Sequence, residues 1–449
     1  MTRSYDYFVI GTGPAGQTFA SAAAKAGHSV GVADYQPYGG TCPLRGCDPK
    51  KVLLAAANAM NDVARLEGKG FTDQPTFSWS DLQAFKATFT EPIPQGTHDK
   101  FNKQGIECLH GKARFTAPHK LVVGDDEVHA DHIIIATGGK PAPLDFPGAD
   151  LLVTSDGFLD MDELPQEIVI VGGGYIGAEF AHIACVLGTK VTVLAADESP
   201  VAKFDRDLND MMAKAATKRG MDLHFSTKAT KVEKIGDGRI RVHYETDGGD
   251  TGSVEADRAF HAAGRVPNIK ALDLDKAGID YGKKGIAVND SLRTSVRAHY
   301  AVGDCTDSGL DLTPVANHEA KIVVDNLLHG KNRKIDYYPI PTLAFTIPPI
   351  GSVGMTAEEA DESDKNLTIN FKDTTDSFHT AHTNGIVSGF KTIIDEDEGI
   401  VLGAHLLGNG TPELINLFAL AIIEKIPVER LKKILWAYPT ASSGIGGMI

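Results

Sequence analysis

Cysteine is scarce in this sequence, with 5 among 449 residues. A chain of that length with so few cannot rest on the disulfide framework of small secreted domains. No run of ~18 apolar residues occurs, so no membrane-spanning helix is expected. The chain opens MTRSYDYFVIG, without a basic n-region, a long apolar stretch or a small-residue cleavage site, which predicts a cytoplasmic protein. Positive charge is also short: 44 Lys and Arg against 59 Asp and Glu leave a formal net charge of −15. Neither nucleic acid nor an anionic membrane favours an acidic surface, so no such partner is expected. No tandem repeat of ~20–50 residues is present.

Glycine is the residue in surplus, at 47 of 449, against ~7% in ordinary globular chains. The length itself suggests about three domains at ~150 residues each. Many of the glycines fall in two similar settings. A strand-like run, Tyr5–Ile10, leads into Gly11-Thr12-Gly13-Pro14-Ala15-Gly16, an Ala-rich helical stretch to about Lys25, and a second strand over 29–33. The pattern returns at Glu167–Val171, followed by Gly172-Gly173-Gly174-Tyr175-Ile176-Gly177, a helix to about Leu187 and a strand over 190–194. In a Gly-x-Gly-x-x-Gly turn the first glycine permits the tight turn and the second lets backbone approach a pyrophosphate. The third packs helix on strand, and the helix N-terminus attracts the anion. Two such boxes in strand–turn–helix context predict two dinucleotide sites.

An acid closing the second strand of such a unit binds an adenosine ribose. Asp34 stands there in the first unit. The second unit reads Leu194-Ala195-Ala196-Asp197-Glu198, with alanine at the diagnostic spot and no arginine for a 2′-phosphate. Asp197 and Glu198 would repel such a phosphate and Lys203 would attract one. Nicotinamide preference stays open, with a slight lean to NADH.

The remaining segments are expected to form helices over 52–66, 77–89 and 98–103, with Pro92 and Pro94 marking a break between the last two. A buried strand is expected over 129–137 and β-alternation over 221–245. From about 336 the proline-punctuated short β-runs and a helix over 411–425 suggest a separate α+β domain. His379 and His382 are expected to be polar residues of that domain's sheet.

Directly after the first βαβ unit comes Gly39-Gly40-Thr41-Cys42-Pro43-Leu44-Arg45-Gly46-Cys47-Asp48-Pro49-Lys50. Cysteines five positions apart could meet across about one and a half helical turns, subject to Cα atoms within ~7 Å. A zinc site would need about four ligands, and no second pair lies nearby. No metal site is predicted. The pair is read as a redox disulfide.

Taken together, these motifs resemble the pyridine nucleotide–disulfide oxidoreductases, the family of glutathione reductase, dihydrolipoamide dehydrogenase and mercuric reductase. The resemblance runs from about Tyr5 to Thr440 in the family's order. It includes Ala136-Thr137-Gly138-Gly139, Glu179 after the second box, Ala263-Gly264-Arg265-Val266-Pro267-Asn268, Tyr300–Asp304 and Leu312–Ala316. The implied fold is α/β, with two Rossmann-like dinucleotide-binding domains and a C-terminal α+β dimerisation domain. The implied boundaries are 1–145 with 269–335 for FAD, 146–268 for NAD(P)H, and 336–449 for a homodimer interface. Cofactor contacts are implied for Gly11, Gly13, Gly16, Asp34, Gly40, Thr41, Thr137, Gly138, Asp304 and Ala316. Others are implied for Gly172, Gly174, Tyr175, Gly177, Gly264 and Arg265. By the same resemblance Cys47 lies against the flavin and Cys42 meets the substrate. Lys50 pairs with Glu179 beside the flavin, and Tyr175 covers the flavin until nicotinamide displaces it. A hydride from NAD(P)H then reaches the Cys42–Cys47 disulfide through the flavin and passes on to an acceptor.

The chain departs from the family near its C-terminus. Relatives carry His-Pro-Thr with a Glu about three residues on, an acid–base pair contributed to the partner's site. This sequence has Tyr438-Pro439-Thr440, and Ser443 in the glutamate's place. Tyrosine, ordinarily titrating near ~10, serves a task at neutral pH less well than histidine near ~6.5. Tyr438 is nevertheless the candidate catalytic residue at that position. Mercuric reductase uses tyrosine near its metal but delivers metal through C-terminal cysteines, and the last cysteine here is Cys305. Between the cysteines, Arg45 favours a thiolate at Cys47 and Asp48 opposes it. A small-molecule or small-protein thiol disulfide is the leading acceptor. A quinone, a metal ion or oxygen is the alternative, and a low-turnover redox-sensing flavoprotein is the third reading.

Overall fold

The computed structural model describes residues 2–73 and 75–449, and these fall into two compact units. The first comprises residues up to 52 with 83–143 and 264–336. Its strand β1 (Thr2–Ile10) pairs in parallel with β2 (Val30–Asp34), the two being joined through helix α1 (Pro14–Lys25). Two helices follow along the chain, α2 (Thr41–Arg45) and α3 (Cys47–Arg65). Helices α4 (Trp79–Thr90) and α5 (Pro92–Lys103) come next. The expected proline break is a helix start instead. Pro92 occupies the first turn of α5, where a missing N–H costs nothing.

Strands β3 (Glu107–His110), β4 (Ala113–Ala117), β5 (Lys120–Val123) and β6 (Asp126–Ile135) complete most of the sheet, whose order is β3-β2-β1-β6-β5-β4. The strand His299–Ala301 pairs in parallel with the far end of β6. Phe8, Val9 and Ile133–Ile135 are buried on both faces. That is why β1 and β6 read as continuous apolar runs rather than alternating ones. Parallel register aligns Ile10 with Ala33 and Ile135, and Ile135 with Ala301. The chain therefore leaves four neighbouring strands at one edge, at Gly11, Asp34, Ala136 and Val302. That edge is where an open α/β sheet binds its ligand.

The second unit comprises 53–82, 144–263 and 337–449. It holds a parallel sheet in the order 222–224, 190–194, 167–171 and 258–261, and an antiparallel meander over 227–256. A five-stranded antiparallel sheet spans 342–407 in sequence. The helix Thr411–Ile423 buries Leu414, Ile415 and Phe418 in the same apolar cluster as Phe390, Val401 and Leu406 of that sheet. His379 and His382 do not lie in the sheet: they fall at the short helix Phe378–Ala381 and its C-cap. Thr380 and Thr383 beside them complete a tight Thr/Gly turn that the β-like composition did not reveal. Among the described residues, no helix is long and apolar enough to cross a membrane.

Candidate active site

The two cysteines do not lie on one continuous helix. Cys42 sits in α2 and Cys47 opens the 19-residue α3. Gly46 between them has φ −136° and ψ −116°. A Cβ there would stand 3.0 Å from the Thr41 carbonyl oxygen and 3.2 Å from the Cys42 Cα. Glycine thus lets the chain fold back on itself, returning Cys47 toward Cys42. Both are thiols here, Cys42 half-buried and Cys47 exposed. Cys47 occupies the first turn of a long helix, where backbone N–H groups and the dipole favour a thiolate. The hydrogen bond with Cys47, then burial, pushes the Cys42 thiol well up, while a hydrogen bond with Thr313 opposes them. Asp48 adds a weaker upward push on Cys42. Lys50 follows Cys47 by nearly one turn of α3.

The first glycine box forms a cradle. Helix α1 starts at Gly13 with Pro14 in its first turn and no side chain capping it. Its leading amides therefore have no side-chain acceptor from the protein. A Cβ on Gly11 would come within 2.2 Å of the Ala136 carbonyl oxygen, and one on Gly16 within 2.1 Å of the Gly11 carbonyl oxygen. Gly40, at φ +83°, lies so close to Gly13 that a Cβ on it would meet the Gly13 Cα at 2.4 Å. Asp34 at the end of β2 accepts from the Thr12 N–H at 2.9 Å and from the Thr12 hydroxyl at 2.7 Å. The same hydroxyl accepts from the Gly39 N–H at 3.2 Å. Thr12 so ties the acid to the cysteine-bearing loop that begins at Gly40 and Thr41. Its place inside the glycine box was the only signal for that role.

At the neighbouring strand ends, Thr137 and Gly138 follow β6, and Gly303 and Asp304 follow the strand 299–301. Burial raises the Asp304 carboxyl, Asp311 adds to this and Arg265 opposes it. Arg265 donates to the Gly139 carbonyl. Gly303 packs on Ala316 and donates its N–H to Glu319 at 2.5 Å. Glu319 is fully buried, and the sequence offered no motif that marked it. Cys305 is also fully buried, and its thiol is pushed up to about 11 by burial, which makes it a packing residue.

In the second unit the helix Tyr175–Val186 starts at Gly174, again without a side-chain cap. Gly172 and Gly177 pack backbone on backbone as Gly11 and Gly16 do, while a Cβ on Gly174 would meet nothing within 4 Å. Gly264, in the first unit, accepts the Ala142 N–H through its carbonyl. Tyr175 stacks edge-on against Phe204 with centroids 5.4 Å apart, and burial raises its phenol. Glu179 is 1% exposed and accepts the Phe345 N–H at 2.8 Å. Tyr438 is 80% exposed and makes no hydrogen bond among the described residues. Ser443 closes a local turn, donating its hydroxyl to the Thr440 carbonyl at 2.6 Å.

Comparison with known proteins finds matches along nearly the whole chain. Residues 5–320 fit the pyridine nucleotide-disulphide oxidoreductase family, and 340–449 fit that family's dimerisation domain. The chain belongs to the pyridine nucleotide-disulphide oxidoreductases. A dihydrolipoyl dehydrogenase of Haloferax volcanii is 30% identical over 455 residues, spanning 98% of this chain and 94% of the relative. A glutathione reductase of Nostoc is 32% identical over 439 residues, covering 94% of each. Among solved structures, the HOCl-induced flavoprotein disulfide reductase RclA from Escherichia coli superposes with a TM-score of 0.89. It is 27% identical to this chain and is covered to 99%, as is this chain.

As a family member, this chain is an FAD-dependent NAD(P)H disulfide oxidoreductase with a homodimer-forming module. The residues fit the cofactors. Two helix N-termini open at glycines with no side-chain cap, which is what a dinucleotide pyrophosphate requires of the backbone.

Proposed function

We propose that the physiological reaction is NAD(P)H-dependent reduction of a small thiol disulfide through Cys42 and Cys47, at a rate limited by the altered C-terminal site. The observation that carries this reading is the Cys42–Cys47 pair, two free thiols that the chain reversal at Gly46 returns toward each other. The proposed division assigns 1–145 and 269–335 to FAD, 146–268 to NAD(P)H and 336–449 to the dimer, in a cytoplasmic protein.

Bound FAD supplies the two-electron transfer between nicotinamide and the cysteine pair. The protein's part is positional and acid–base. The amides of α1 and the Gly40–Thr41 loop receive the pyrophosphate, Asp34 a ribose, and Asp304 with Ala316 line the remaining edge. Thr137 and Gly138 border the crossing between the nucleotide halves. Gly172, Gly174, Gly177, Gly264 and Arg265 serve the nicotinamide nucleotide, and Tyr175 is the movable cover that nicotinamide displaces. Lys50 and Glu179 are each assigned a catalytic role as charged groups. Two electrons and two protons convert the Cys42–Cys47 disulfide to the dithiol. Cys42, once deprotonated, attacks the acceptor disulfide, forming a mixed disulfide and releasing one thiolate. Cys47 then attacks the Cys42 sulfur, closing the intramolecular disulfide and releasing the second thiolate. Tyr438, from the partner subunit, stands where relatives have an imidazole to take and return those protons.

Turnover with glutathione disulfide, lipoamide and small-protein disulfides, each compared with a Cys42→Ser variant, tests the proposal. Full activity of that variant with the best acceptor would sink it. A metal ion as acceptor is the second reading. It is favoured by the RclA neighbour, whose Cu(II) complex superposes on this chain with a TM-score of 0.88.

A further inference from the structure

The second unit contains a cavity of about 270 Å³ lined by no residue of either glycine box, and its charge is one-sided. Arg65, Arg219 and Lys372 line it, and no aspartate or glutamate does, in a chain whose net charge is −15. Arg219 donates to the Ile347 carbonyl at 3.0 Å and to the Asn61 side-chain oxygen at 2.7 Å, and it meets no carboxylate among the described residues. Arg65 lies close enough to act on it as a like charge. Arg65 is 9% exposed and shares its charge with the outward-facing Asp62, while its Nε has no hydrogen-bond partner. Lys372, on the exposed strand Leu367–Asp373, makes no ion pair or side-chain hydrogen bond among the described residues. Holding two guanidinium groups together in a poorly hydrated pocket, with Asp62 pairing one of them and no carboxylate on the other, is unfavourable, and an anion relieves it.

The remaining lining narrows the anion. Thr374, Ser388 and Thr380 form a hydroxyl chain with oxygens 2.8 and 2.6 Å apart. Such a chain always leaves an O–H able to turn toward a ligand. Two guanidinium forks, an ammonium and hydroxyls supply more donors than a planar carboxylate accepts, whereas a tetrahedral oxyanion takes many. The volume falls just below the ~300–1,000 Å³ of drug-sized ligand sites, and Ile386, Val387 and Leu414 add apolar wall. We propose that this cavity binds a small phosphate-type oxyanion ligand, held by Arg65, Arg219 and Lys372, at a site that uses no residue of the glycine boxes or the cysteine pair and is bordered by Thr440 and Ser443 of the C-terminal turn.

Isothermal titration calorimetry on the FAD-loaded full-length enzyme tests this, at ionic strength fixed with KCl. Inorganic phosphate and glycerol 3-phosphate are the probes, and their relative affinities tell a free oxyanion from a phosphomonoester. Saturable binding is expected, together with a concentration-dependent rise in the unfolding midpoint. Arg219→Met should weaken binding ~10–100-fold, the value of a charged hydrogen bond. Because Arg219 also bridges Asn61 and Ile347, that variant could lose its fold. The exposed Lys372→Gln, expected to weaken binding ~2–5-fold, then carries the test alone. Absence of saturable binding with both probes would overturn the proposal. So would binding displaced by NADP⁺, or binding unchanged in Lys372→Gln.

Discussion

Replacing glycines of the second box separates what the fold needs from what the nucleotide needs. Gly174 has φ −70° and ψ −171°, an extended conformation open to any residue, and a Cβ on it meets nothing within 4 Å. Gly174→Ala should therefore leave the protein as stable as before, or more stable by ~0.4–1 kcal/mol through a less flexible unfolded chain. Gly177 differs. Its Cβ would stand 2.0 Å from the Gly172 carbonyl oxygen and 3.3 Å from the Ala262 side chain. To reach the closest approach real side chains show, the helix Tyr175–Val186 must move about 1 Å off its sheet, an overpacking penalty of ~1–3 kcal/mol. If Gly174 is glycine so that a pyrophosphate can approach the backbone, Gly174→Ala should raise KM for NAD(P)H ~10–100-fold. That factor corresponds to one lost charge-assisted hydrogen bond. Urea unfolding of both variants with FAD bound, alongside steady-state kinetics in nicotinamide, makes the comparison. Destabilisation of Gly174→Ala by more than ~1 kcal/mol would refute the steric argument. An unchanged KM would refute the pyrophosphate argument.

Other perturbations follow from the same geometry. Tyr438→His, combined with Ser443→Glu to orient it, should raise glutathione-disulfide turnover by ~10²-fold or more; no gain would mean that Tyr438 does not stand in the acid–base position. Cys42→Ser should abolish disulfide turnover while leaving NAD(P)H-driven bleaching of the flavin, followed by stopped-flow absorbance; slowed bleaching would place Cys42 elsewhere in the sequence of events. His182 is fully buried, accepts the Ile347 N–H at 3.2 Å, and burial pushes its imidazole down to about 3. Its folded pKa lies below the unfolded ~6.5, so the unfolded chain binds the extra proton first and stability falls as pH drops from ~6.5 toward 3. At pH 5 the loss is about 2 kcal/mol relative to pH 8, read as a shift in the urea midpoint, and a His182→Asn variant with the same pH slope would exclude this residue as the cause.

Local spacing made much of the molecule legible. The glycine boxes were recognisable because a dinucleotide turn constrains six consecutive residues, and the strands flanking them are apolar on both faces. The buried strand Glu167–Val171 matched its expected span for the same reason. The proline at 92 was misread because its chemistry is the same at a break and in the first turn of a helix; only the chain that follows distinguishes them. His379 and His382 were misplaced because a four-residue helix has too few positions to show a period. The cysteine pair was recognised, yet its geometry was not. The fold-back at Gly46 depends on unusual dihedrals, which a single glycine permits but does not announce.

The sequence alone determined that two nucleotide-binding turns and one redox pair exist, because each is written within about a dozen consecutive residues. It also determined the departure at Tyr438, a substitution visible without coordinates. Tertiary structure decided the rest. Gly11 is required by the Ala136 carbonyl, and Gly303 by its left-handed φ of +74° and the close Ala316 side chain. Arg65, Arg219 and Lys372 share one cavity only because helix α3, the helix ending at Lys218 and an edge strand converge there. Such contacts join positions far apart in the chain, and packing rather than periodicity selects them.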